Sequence, residues 1–173
     1  MTLIHANKLI LIGFMGTGKS TVAARLSDRL NLPVVDVDAY IVEKAAQTIP
    51  ELFEQKGEAY FRQLETEALQ HILEADTPVI VATGGGAVLK EENKALMTKY
   101  GQVFALTATP EDIIDRVKHD ANRPLLQGEV EKRVYDLVEK RKASYLFAHH
   151  TVDTSKLSLD EVVNEICKLW QAE

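Results

Sequence analysis

The sequence holds one cysteine, Cys167, among 173 residues, so an internal disulfide is excluded and a reducing compartment is the expectation. It has no basic excess either. The formal net charge is −6, and binding of a nucleic-acid backbone normally shows as a surplus or a clustered face of lysine and arginine, so a nucleic-acid partner is not expected. Long hydrophobic runs are missing as well: the apolar stretch after Lys8 ends at Gly13, far short of a membrane span or a secretory signal. A soluble, cytoplasmic chain without a membrane partner is the consequence. No internal repeat, low-complexity tract or Gly/Ser-rich linker divides the sequence, and 46% hydrophobic residues over this length suit one core. The expected organisation is therefore one domain over residues 1–173, acting as a monomer.

What is present is an alternation. Short β-branched runs at Lys8–Ile12, Val34–Val37, Val79–Ala82, Val103–Thr107 and Thr151–Val152 are separated by stretches of helical period. That order predicts an α/β fold of three layers, αβα, with a five-stranded parallel sheet covered by helices on both faces. Punctuation places the helices: Lys19–Leu30 ends before Asn31 and Pro33, a turn opens at Pro50 and stops at Gly57, another starts at Pro110, and a long one is expected over Val130–His149. Cys167 falls on the apolar stripe of Val162, Val163, Ile166, Leu169 and Trp170, which assigns it to packing. The five histidines show no metal-ligand spacing and read as solvated or packing residues. Residues 118–129 lose periodicity, gather charge and contain Pro124 and Gly128, as a movable surface loop would.

Directly after the first strand stands GFMGTGKS, Gly13 to Ser20, followed by a helical pattern. This is the G-x-x-x-x-G-K-[ST] phosphate loop in its strand–loop–helix setting. Its glycines let successive N–H groups turn inward, and the following helix presents its positive end to phosphates. Lys19 supplies a mobile charge and Ser20 a hydroxyl for Mg²⁺. GTPase switches, motor ATPases and small-molecule kinases share such a loop. A guanine-reading N-K-x-D is missing, since Asn93-Lys94-Ala95-Leu96 has leucine where the acid belongs, and neither VIVATGGG nor VFALTAT ends in an acidic pair.

The acids stand after the second strand, at Asp36 and Asp38. Strand spacing would point both to one side, with Asp36 attending a hydrated metal and Asp38 accepting from a substrate hydroxyl; the plain alternative is that Asp38 caps the next helix. Gly84, Gly85 and Gly86 follow the third strand and would let the backbone approach a ligand, or else make a tight turn. Arg62 lies at the edge of a stripe of Phe61, Leu64, Ala68 and Ile72, with Glu65 three residues on to hold its guanidinium; a solvated surface arginine is the alternative. Arg141 is crowded by Lys140 and Lys142, which a bound carboxylate or a solvated basic face would explain. Arg123 sits in the movable segment and could reach the reaction centre on closure.

Taken in order, GFMGTGKST, DVD, FRQLE, TGGG and RPLL resemble the motifs of shikimate kinases along nearly the whole chain. The resemblance implies the P-loop NTPase architecture of the nucleoside-monophosphate-kinase type and transfer of the γ-phosphoryl group of ATP to the 3-hydroxyl of shikimate. It implies shikimate contacts from Asp38, Arg62, Gly84–Gly86 and Arg141, Mg²⁺ at Ser20, and ATP contacts from Gly16, Thr17, Gly18, Lys19, Ser20, Thr21, Arg116 and Arg123. Residues 153–155 are placed near the adenine, residues 38–75 form the acceptor-binding helical segment, and residues 118–129 form the lid. Two departures stand out. Val37 separates the aspartates where many members have Ser or Thr, and Arg141-Lys142-Ala143-Ser144-Tyr145 replaces a common R-x-P-L-Y, which bears on how firmly Arg141 is held. Another small-molecule kinase, for gluconate or a nucleoside monophosphate, and a regulatory nucleotide-binding module are the competing readings.

Overall fold

The computed structural model describes residues 7–118 and 129–171; Arg123 and residues 119–128 of the expected lid lie outside them. Five strands, β1 (Lys8–Gly13), β2 (Val34–Asp36), β3 (Val79–Ala82), β4 (Gln102–Thr107) and β5 (His150–Asp153), form one sheet in the order β2-β3-β1-β4-β5. Every pairing is parallel. The apolar runs of β1, β3 and β4 are buried on both faces, which is why they carry little polar alternation.

Successive side chains of β1 serve opposite layers. Ile10 and Ile12 pack with Phe61, Leu69 and Leu73 of α4 (Glu58–Glu74) and Met97 of α5 (Glu91–Tyr100), while Leu9 and Leu11 pack with Val22 and Leu26 of α1 (Lys19–Leu30) and Val163 and Ile166 of α8 (Leu159–Gln171). Cys167 is buried in that second layer, as its place on the stripe predicts. A smaller cluster of Phe14, Ile113, Ile114, Val117 and Val134 joins the phosphate loop to α6 (Pro110–Val117) and α7 (Val130–Arg141). Lys8 is fully buried at the amino end of the sheet, where its ammonium donates to the carbonyl oxygens of Ala75, at 2.5 Å, and Thr77.

Two expectations are corrected. The second strand stops at Asp36, and Val37 already belongs to α2 (Val37–Ala45), so Asp36 and Asp38 do not alternate along a strand. The cap is Asp36, whose Oδ1 accepts from the Ala39 N–H at 2.9 Å and satisfies a donor the first helical turn leaves open. The helix expected over Val130–His149 ends at Arg141, and Lys142–Tyr145 tighten into a 3₁₀ turn.

Candidate active site

Because all five strands run the same way, the loops after their carboxyl ends share one rim of the sheet. The phosphate loop leaves β1 at the centre of that rim. Gly18 takes φ +94° at the start of α1, a conformation that disfavours any side chain. Thr17 is 1% exposed, and both its hydroxyl, at 2.7 Å, and its amide, at 3.3 Å, donate to the Phe14 carbonyl, so its donors hold the loop's shape. The Lys19 ammonium donates to the carbonyls of Gly13 at 2.7 Å and Phe14 at 3.0 Å. Ser20 and Thr21 are exposed on the first turn of α1.

On one side of this loop Arg116 links it to the segment after β5. Its guanidinium donates to Gly16 O and Thr154 Oγ1, both at 3.1 Å, and to Thr154 O at 3.2 Å. Thr17, Gly18, Thr21, Arg116 and Thr154 line a recess of about 290 Å³. The structure thus brings Arg116 and the 153–155 segment together beside the loop.

On the other side lies a cleft of about 570 Å³. Its polar lining includes Asp38, Arg62, Glu65, the three glycines and Arg141, and its apolar wall comes from Ile49, Pro50 and Phe53 of α3 (Ile49–Lys56) and from Phe61. Met15 of the phosphate loop lines the same cleft. A Cβ built on Gly84 would stand 2.9 Å from Asp38 Oδ1 and 3.2 Å from Glu65 Oε1, and one on Gly85 would stand 3.3 Å from the Met15 amide nitrogen. The glycine triplet is therefore the wall that the acid, the arginine helix and the phosphate loop have in common.

Arg62 sits on α4, where the spacing of three residues delivers it to Glu65: Nη1 donates to Oε2 at 2.9 Å, and Nη2 reaches Glu58 Oε1 at 3.4 Å. Only 13% of its side chain is exposed, which rules out the solvated alternative. Glu65 is fully buried, and burial raises its carboxyl pKa while the Arg62 cation opposes the rise. Its Oε1 has no hydrogen-bond partner among the described residues.

Arg141 is 7% exposed at the end of α7, whereas Lys140 and Lys142 turn to solvent. Its guanidinium carbon stands 5.8 Å from the centre of the Phe14 ring, within range of a cation–π contact. Among the described residues no carboxylate lies within ion-pair distance of it. A buried cation without a countercharge is costly and favours an incoming anion. Sequence reasoning missed Phe14 as this seat and the apolar wall from Ile49 to Phe53, and a phenylalanine inside a glycine-rich loop was the one available signal. Arg123 lies outside the described residues, and no group of three or more His, Cys, Asp or Glu side chains that could hold a metal occurs among the described ones.

Comparison with known proteins agrees with this geometry. The family model described as shikimate kinase matches residues 15–171. The chain is 39% identical over 161 residues to the shikimate kinase of Enterococcus faecalis, covering 91% of this chain and 95% of that one. Against the shikimate kinase of Geobacter sulfurreducens the identity is 44% over 159 residues, covering 91% and 87%. The solved shikimate kinase of Acinetobacter baumannii in complex with shikimate superposes with a TM-score of 0.90 at 34% identity, covering 95% of this chain and 93% of that one. With a cradle, an acid, a half-buried and a buried arginine on one rim, and likeness over nine-tenths of its length, the chain belongs to the shikimate kinase family.

Proposed function

We propose that the chain transfers the γ-phosphoryl group of ATP to the 3-hydroxyl of shikimate. The observation that carries the residue assignment is Arg141, a buried cation with no acid partner among the described residues, facing the same cleft as Arg62, Asp38 and the edge of the phosphate loop. Two converging guanidinium groups suit a carboxylate, and the glycine-lined wall suits a polyhydroxylated ring that needs close backbone approach. Held there by its carboxylate, the acceptor presents a hydroxyl to Asp38 and to the incoming γ-phosphorus.

In the reaction the 3-oxygen bonds to the γ-phosphorus as the bond from that phosphorus to the β–γ bridging oxygen breaks, giving shikimate 3-phosphate and ADP. The hydroxyl proton passes to Asp38 and then to solvent. Lys19 exchanges its loop carbonyls for phosphate oxygens and follows the developing charge. Gly16, Gly18, Ser20 and Thr21 meet the phosphates and Arg116 the base, while Arg123 completes the charge stabilisation from the lid. Magnesium would be held by the exposed hydroxyl of Ser20 and, through water, by the Asp36 oxygen not used in capping. When bound, that ion would neutralise charge on the phosphates. The reading includes one domain over residues 1–173, with residues 38–75 binding the acceptor and 118–129 as the lid, working as a cytoplasmic monomer. No described helix is long and apolar enough to cross a membrane.

Coupled ADP release over a panel of acceptors tests the assignment. Shikimate is expected to raise the rate far above the blank, with gluconate and nucleoside monophosphates inactive. A faster rate with another acceptor, or release indifferent to all of them, overturns it.

A further inference from the structure

The Tyr145 hydroxyl donates to the carbonyl oxygen of Gly85 at 3.0 Å. Tyr145 closes the 3₁₀ turn that follows Arg141, and its ring packs against both the main core and the cluster that contains Phe14. Gly85 lies at the centre of the triplet that walls the acceptor cleft. One phenol therefore ties the element carrying the buried arginine to the backbone facing it.

From these contacts we infer that Tyr145 is a positioning residue for the acceptor: it fixes the plane of the Gly85–Gly86 peptide and thereby the shape of the glycine wall. The physical need is specific. Three consecutive glycines have the widest backbone freedom of any tripeptide, so without an anchor the peptide plane samples several orientations. In a trans peptide the C=O and the next N–H point in opposite directions, so holding the Gly85 carbonyl on Tyr145 turns the Gly86 N–H away from the 3₁₀ turn. The Ala87 N–H donates to the Gly84 carbonyl at 3.1 Å and closes a turn around the triplet, yet the central peptide of such a turn can flip between turn types, and neither the Gly85 nor the Gly86 N–H has a hydrogen-bond partner among the described residues. Burial pushes the Tyr145 pKa up to about 12, against the pull of the Arg141 cation, so the phenol remains a donor throughout the neutral range.

This inference rests on the acceptor reading above, and its test separates the two. Tyr145→Phe keeps the ring and removes the hydroxyl, both as donor to the Gly85 carbonyl and as acceptor from Arg141. With shikimate as the varied substrate, its KM is expected to rise about 5- to 20-fold, as for a part-buried acceptor that loses its hydrogen bond. The KM for ATP should stay within about twofold, since the phosphate loop keeps its own bonds. In parallel, a difluorotyrosine at 145, which preserves size but ionises at lower pH, should give the shikimate KM a new alkaline rise that the wild type lacks. Equal changes in both KM values, or an unchanged shikimate KM in the folded phenylalanine variant, overturn the inference. Should that variant not fold, absence of the alkaline rise in the fluorinated protein overturns it. If the wild type leaves shikimate unphosphorylated, the acceptor reading itself fails.

Discussion

A Cβ on Gly86 would lie 2.6 Å from Cζ of Arg62, inside the guanidinium it would have to face. The third glycine is thus what allows the arginine to lie flat against the cleft wall, where Glu65 holds it at 2.9 Å. Gly86→Ala is expected to displace Arg62 and raise the shikimate KM at least about 10-fold, with the KM for ATP nearly unchanged. Substrate titrations of the variant check this, and parallel losses for both substrates would contradict it.

Arg62→Ala removes the cation itself. Loss of a charge-assisted pair to a carboxylate corresponds to about 10- to 100-fold in shikimate affinity. Calorimetric titration with shikimate and separately with ADP should show the loss only in the first; equal weakening would point to a folding role.

Asp38→Asn keeps the shape of the side chain but not its basicity. A fall of about 10²-fold or more in kcat at saturating shikimate is expected, as for loss of a general base. Near-normal turnover in steady-state assays would remove Asp38 from the chemistry.

Glu65 gives a pH signature. Burial raises its folded-state pKa, so between the ordinary glutamate value and that raised value the folded protein binds more protons than the unfolded one. The Glu65 contribution to stability is therefore full below the unfolded pKa and falls as pH rises through the folded one. Denaturation midpoints of wild type and Glu65→Gln, followed upward from about pH 4, should show this decline only in the wild type.

Lys8 provides a contrast far from the chemistry. Lys8→Met leaves the carbonyls of Ala75 and Thr77 without their buried donor, at a cost of about 1–3 kcal/mol. Thermal melts should fall by several degrees while both KM values stay put.

The sheet was readable because Val79–Ala82 and the other apolar runs are too short for helices and stand between strongly periodic segments. The helix Lys19–Leu30 was bounded correctly because Asn31, in the left-handed region at φ +53°, and Pro33 end it chemically. Around Asp36 the sequence misled. Val-Val-Asp-Val-Asp reads as a continuing strand, but the Asp36 side chain captures the Ala39 amide and starts a helix one residue earlier than β-branching suggests. The arginines were identified by motif, yet their burial was not. It depends on Glu65 and on Phe14, contacts that one-dimensional spacing shows for the first and hides for the second. The phenol of Tyr145 was invisible for the same reason, since its partner lies 60 residues away.

The most direct test is a single turnover with enzyme in excess over γ-³²P-labelled ATP, run with and without shikimate. If cradle and acceptor pocket open onto one crevice, the label moves into a phosphate ester of shikimate, one per ADP formed, and ATP persists when shikimate is omitted. Label appearing as inorganic phosphate at one rate in both reactions would contradict the account.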